Sequence, residues 1–87
     1  MCIKGGYKML LYNKSKIVIK HKLKNMEYSI NWKYDNKLSN YLVTIEKYIN
    51  GYLYAGYSKQ FYLDNLDMLE NKLDNFVNCN NCIVKSY

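Results

Sequence analysis

Cys79 and Cys82, in the segment CNNC, have the spacing of a metal or redox site. The C-x-x-C spacing lets two thiolates reach one zinc ion, and a closed site needs two further soft ligands. Cys2 and His21 are the only other cysteine and histidine in the 87 residues, and both lie far away along the chain. A dithiol redox pair is the other chemistry of this spacing. Here the pair follows a helical pattern instead of opening one, unlike the thioredoxin-like arrangement. The simpler reading is two thiols in an Asn-rich turn, with no metal site and no cofactor.

The remaining candidates for catalysis are sparse. General acid–base work by His21 needs a partner within hydrogen-bond range. Instead, His21 shares a strand pattern with Ile17, Ile19 and Leu23 and reads as a rim residue. Glu27, Asp35 and Glu46 lie singly, with no paired carboxylates of the kind that split acid and base roles. Gly5-Gly6 lacks the GxxxxGK[ST] order and the following helix of a phosphate loop. No catalytic residue is expected, and the chain reads as a non-enzyme.

Charge offers more. Lysine supplies all thirteen basic side chains, there is no Arg, and the net charge is +6. Residues 1–24 hold seven Lys and no acid. Lys14, Lys16, Lys20, Lys22 and Lys24, with Lys8, are candidates for one cationic patch near Tyr7, Tyr12 and Tyr28. Such a patch steers a polyanion or an acidic protein. Without Arg, the best bidentate readers of guanine and phosphate are missing, and sequence-specific recognition through Arg is excluded. Single-strand signatures are missing too: no RNP pair, no GxxG clamp and no zinc knuckle. The eleven Tyr, with abundant Lys, Asn and Ile, fit an AT-rich coding sequence.

These side chains must be held by elements, and the patterning supplies them. The run 7–12 and the run 17–23 are expected to pair as a first hairpin. Over 27–34, Tyr28, Ile30, Trp32 and Tyr34 alternate with polar residues, as in a half-buried strand. Asn50-Gly51 between 41–48 and 52–58 is the preferred pair for a type I′ hairpin turn. That turn predicts Ile49 opposite Tyr52, Lys47 opposite Tyr54 and Ile45 opposite Gly56. Val43, Ile45, Ile49, Tyr52 and Tyr54 then form the core face, with Gly56 leaving room for a helix. The opposite face carries Tyr48, Leu53 and Tyr57, expected to meet a partner.

Leu66, Leu69, Leu73, Phe76 and Val77 form an amphipathic stripe, so a helix is expected over 64–77 with Asp64 as N-cap, the alternative being a start at Ser58 or Lys59. CIVKSY closes the sheet. The expected fold is a single α+β domain over 1–87: an antiparallel sheet of five or six strands in the order β-β-β-β-β-α-β, with one C-terminal helix packed on one face. The odd cysteine count fits a reducing setting better than a disulfide scaffold. No stretch reaches the length of a membrane span or has the shape of a leader. A cytoplasmic location is expected, in the host cell if the protein is viral.

Tyr41, Val43, Ile45, Glu46, Gly51 and Tyr52 follow a Y-x-V-x-I-E…GY order. In this the segment 41–77 resembles the core of HicB-like antitoxin domains, which have a hairpin, a short link and an amphipathic helix. The leucine-proline-glycine-cysteine stretch of that family is missing, as is its DNA-binding tail. The resemblance implies only that a module of this size can act as a protein-binding inhibitor.

Together these features predict a non-catalytic protein-binding module acting by occlusion, such as a phage or mobile-element inhibitor of a host nucleic-acid-handling complex, of which anti-CRISPR proteins are one kind. Its partner is a host protein or protein–nucleic acid complex, and a second copy of the chain is also compatible. The alternative is a small basic protein that contacts the nucleic-acid backbone through the Lys-rich N-terminal third.

Overall fold

Asn50 and Gly51 adopt φ of 54° and 83°, the left-handed values that a type I′ turn requires at both positions. A computed structural model describes Leu11 and residues 14–86. In it the chain runs β1 (Lys16–His21), β2 (Met26–Asp35), β3 (Asn40–Ile49), β4 (Tyr52–Leu63), α1 (Leu66–Cys79) and β5 (Cys82–Ser86). The five strands make one antiparallel sheet in the order β4-β3-β2-β1-β5. The α+β class expected from the sequence is therefore found: a five-strand antiparallel sheet with one C-terminal helix packed on it. Apart from Leu11, the strand expected over 7–12 lies outside the described residues, as do Cys2, Gly5, Gly6 and Lys8.

The alternating patterns sort the two faces. Ile17 and Ile19 of β1, Tyr28, Ile30 and Trp32 of β2, and Val43 of β3 point to one side. There they meet Leu66, Leu69 and Leu73 of α1, with Leu11 and Cys82 completing the core. Leu63 of β4 is buried with them. Burying a side chain of this size contributes about 1.5–3 kcal/mol each, so one helical stripe and all five strands contribute to the core.

The helix begins later than the Asp64 capping pattern suggests. Asn65 is its N-cap, extended at φ −152°, and its Oδ1 accepts from the Met68 N–H at 3.0 Å. Leu63 is still held in the sheet opposite Tyr41, so Asp64 and Asn65 form the link and the cap falls on the second of them. At the other end, Asn80 closes the helix with its backbone N–H on the Phe76 carbonyl at 3.0 Å.

The hairpin register holds only near its turn. Ile49 pairs with Tyr52 and Tyr48 with Leu53 as the Asn-Gly turn requires, but Ile45 then pairs with Lys59 and not with Gly56. Three extra residues of β4 are absorbed in an irregularity opposite Lys47. An odd number of extra residues reverses the alternation, so Tyr57, Lys59, Phe61 and Leu63 turn toward the helix. Gly56 belongs to this irregularity. It is exposed, and the nearest atoms to a Cβ there would be those of the Tyr54 side chain, from 3.1 Å. Its expected role of making room for the helix is not what it does.

Candidate functional site

Of the soft side chains, His21 and Cys82 lie opposite each other in the β1–β5 ladder. Cys79 is exposed and disulfide-bonded, with its partner outside the described residues, whereas Cys82 is a free, buried thiol. The two are not joined to each other. Cys82 fits the expectation of reduced thiols and Cys79 does not. Burial raises the pKa of the Cys82 thiol, partly offset by the nearby charge of Lys22. Among the described residues no group of three or more His, Cys, Asp or Glu is placed to hold a metal ion.

His21 has a local task instead. Its Nδ1 accepts from the backbone N–H groups of Leu23 and Lys24 at 3.0 and 2.9 Å. This folds residues 22–25 into the β1–β2 turn and ends β1 two residues short of the expected Leu23, which is left exposed. The Lys22 N–H donates to the Asn81 carbonyl and the Asn50 N–H to the Asn25 carbonyl, both at 2.9 Å. The three turns at 22–25, 50–51 and 80–81 are thereby tied together at one end of the sheet.

The expected cationic patch is divided by this geometry. Lys22 and Lys24 sit in the turn at that end. Lys14 lies before the start of β1, about 20 Å away along a six-residue strand. Lys16 and Lys20 face away from the helix, opposite Asn31 and Glu27. There the pairings build a continuous row across all five strands: Ile83, Lys20, Glu27, Tyr48 and Leu53. Lys16, Lys20, Tyr48 and Leu53 of the predicted partner-binding set therefore share the outer face. Tyr57 does not, because the β4 irregularity turns it to the helix side, where it packs edge-on to Tyr28 with ring centroids 5.8 Å apart.

The outer face is mixed in charge. Lys85 bridges to Glu27 at 2.7 Å, and Glu46 stands beside Ser29 and Ser58 in the next row. Lys16, Val18, Glu27, Ser29 and Tyr48 wall a cavity of about 210 Å³. Leu42 and Tyr62 form an apolar pair farther along. Strand spacing of about 4.8 Å and ladders of up to ten residues give this face roughly 600–800 Å². That approaches the ~800 Å² per partner of a standard interface.

A second concavity lies on the helix side. The helix lies closer to β5 than to β4, which leaves Ile45, Tyr57 and Phe61 incompletely covered. Together with Leu69, Lys72, Leu73 and Phe76 of α1 they line a cleft of about 320 Å³. The spacing 69, 72, 73, 76 puts all four helix residues on one face. Tyr28 forms the floor, edge-on to Phe76 at 5.1 Å. The ammonium of Lys47 lies 5.7 Å from the Tyr28 ring centroid and 5.4 Å from that of Tyr57, and Lys59 lies 4.8 Å from Tyr57. Sequence reasoning missed this cleft because it rests on the reversed alternation of β4. Gly56 inside a strand pattern was the available signal, since an isolated strand glycine marks an irregularity.

Compared with known proteins, the chain matches no family model, no curated sequence and no solved structure. The resemblance to HicB-like antitoxin domains thus gains no support. The short link it implies between hairpin and helix is taken up here by strand, since β4 runs to Leu63. No helix among the described residues is long and apolar enough to cross a membrane.

Proposed function

We propose that this protein is a non-catalytic binding module that occludes a surface of a protein partner with the outer face of its sheet. The observation that carries the reading is the five-strand row Ile83, Lys20, Glu27, Tyr48, Leu53. It places exposed apolar side chains beside charges of both signs on a face that the helix leaves open. Protein interfaces combine apolar and aromatic anchors with a polar rim in this manner. An inhibitor aimed at a host nucleic-acid-handling complex is one form such a module takes.

Backbone binding to nucleic acid is the second reading, favoured by Lys16, Lys20 and Lys33 on the same face. Glu46 and Glu27 weigh against it, because they stand between the lysines and Tyr48, where a phosphate track would run. One titration separates the two. Nuclease-treated protein is mixed with fluorescent single- and double-stranded nucleic acid at low and moderate salt. No binding at low salt, together with a stoichiometric protein complex lost in Tyr48→Ala/Leu53→Ser, supports occlusion. Tight binding that falls steeply with salt, and weakens in Lys16→Ala/Lys20→Ala, transfers the face to nucleic acid.

A further inference from the structure

We infer that the cleft between α1 and the β3–β4 half of the sheet is a binding site for a small organic anion with an aromatic body, independent of the outer face. The cleft is concave where the outer face is broad. Its volume of about 320 Å³ lies at the small end of ligand sites, the size of a bicyclic ring system and not of a protein surface. Its walls are apolar and aromatic: Tyr28, Tyr57, Phe61 and Phe76 present ring faces and edges, with Ile45 and Leu69 between them.

Charge selects the ligand class. Lys59 and Lys72 are part of the lining, Lys47 is poised over the Tyr28 and Tyr57 rings, and no carboxylate lines the cleft. Among the described residues none of these three lysines forms an ion pair; Lys85 pairs with Glu27 on the opposite face. The two buried helix carboxylates are engaged elsewhere: Glu70 accepts from the Leu11 N–H and Asp74 from the Asn78 amide. A carboxylate at the mouth would meet three ammonium groups, none of which would have to leave a carboxylate and two of which rest on the Tyr28 and Tyr57 rings, while an apolar ring fills the space below. A cationic ligand of the same shape would be repelled.

The probe is naphthaleneacetate, tested against naphthaleneacetamide and naphthylethylamine as neutral and cationic analogues. Binding is read by amide chemical-shift mapping on the full chain. Saturable shifts at Tyr57, Phe61, Leu69 and Phe76 with the anion are expected, with binding at least fivefold weaker for the amide and weaker still for the amine. Lys59→Gln/Lys72→Gln, both at exposed positions, is expected to weaken anion binding roughly tenfold while leaving the spectrum folded, since each exposed charge pair contributes up to a severalfold change in affinity. Equal binding of the three compounds, an unchanged affinity in the double variant, shifts confined to the outer face, or no shift at millimolar ligand would each overturn the assignment.

Discussion

Glu70 should be the carboxylate on which stability depends most. It lies in the middle of α1, only 5% exposed, and its Oε2 accepts from the backbone N–H of fully buried Leu11 at 3.1 Å. This bond spans 59 positions of the chain, so it ties the segment before β1 to the back of the helix. Hydrogen bonds to charged groups contribute about 1.5–3 kcal/mol, and a buried N–H left without a partner costs about 1–3 kcal/mol. Glu70→Leu keeps the volume but removes the acceptor, so the expected loss is about 2–3 kcal/mol. In a domain of this size that corresponds to a fall in Tm of about 10–20 °C. Glu70→Gln retains an amide oxygen in the same place and should lose about 1 kcal/mol or less. The assay is urea unfolding followed by Trp32, the single tryptophan, which is buried in the core. Hydrogen exchange at the Leu11 amide is measured alongside. If the two variants share one urea midpoint, or Leu11 exchanges at the wild-type rate in Glu70→Leu, the bond does not hold the segment and the reasoning fails.

His21→Ala removes the acceptor shared by the Leu23 and Lys24 amides and should cost about 1 kcal/mol, with faster hydrogen exchange confined to residues 22–25. Gly51→Ala meets no atom within 4 Å but must hold φ +83°, so a loss of about 1–2 kcal/mol in urea unfolding should come from the backbone alone. Burial raises the Cys82 pKa, so the folded state retains the thiol proton longer than the unfolded chain. That contribution is complete below the ordinary thiol range near 9 and is lost as pH rises above it. Wild-type stability should therefore decline more steeply in this alkaline window than that of Cys82→Ser. Parallel pH profiles of the two would refute the reading.

How much of this could be read in advance depended on whether a local rule acted alone. The Asn50-Gly51 turn was legible because its φ values follow from residue type, and the helical stripe because Leu66, Leu69 and Leu73 repeat with the helix period. Strand β2 was legible for the same reason, from Tyr28 to Trp32. The helix start moved from Asp64 to Asn65 because both residues can cap, and Leu63, anchored in the sheet, decides between them. The faces of β4 beyond Leu53 were not legible. Register propagates faithfully from a turn only while the ladder is regular, and three extra residues opposite Lys47 send Tyr57 and Lys59 to the helix side. The spread of the lysines was not legible for a related reason. Neighbours in sequence need not be neighbours in space, and β1 separates Lys14 from Lys22 and Lys24 by its full length.

The irregularity in β4 also bears on how readily its edge could pair with another copy of the chain. Strand β4 is twelve residues long and lies at an edge of the sheet, so its outward N–H and C=O groups form an open template for another strand. A straight edge of that length, rich in Tyr and Leu, would invite stacking of copy upon copy into fibrils. The break at 54–57 divides the template into two shorter pieces whose hydrogen-bonding groups fall out of step. A chain shortened by three residues at this break would regain one even ladder, with Lys59 still opposite Ile45. The gain in regularity would come with a surface primed for polymerisation. The three extra residues interrupt that ladder, and on the helix side the same stretch turns Tyr57 edge-on to Tyr28 in the wall of the cleft.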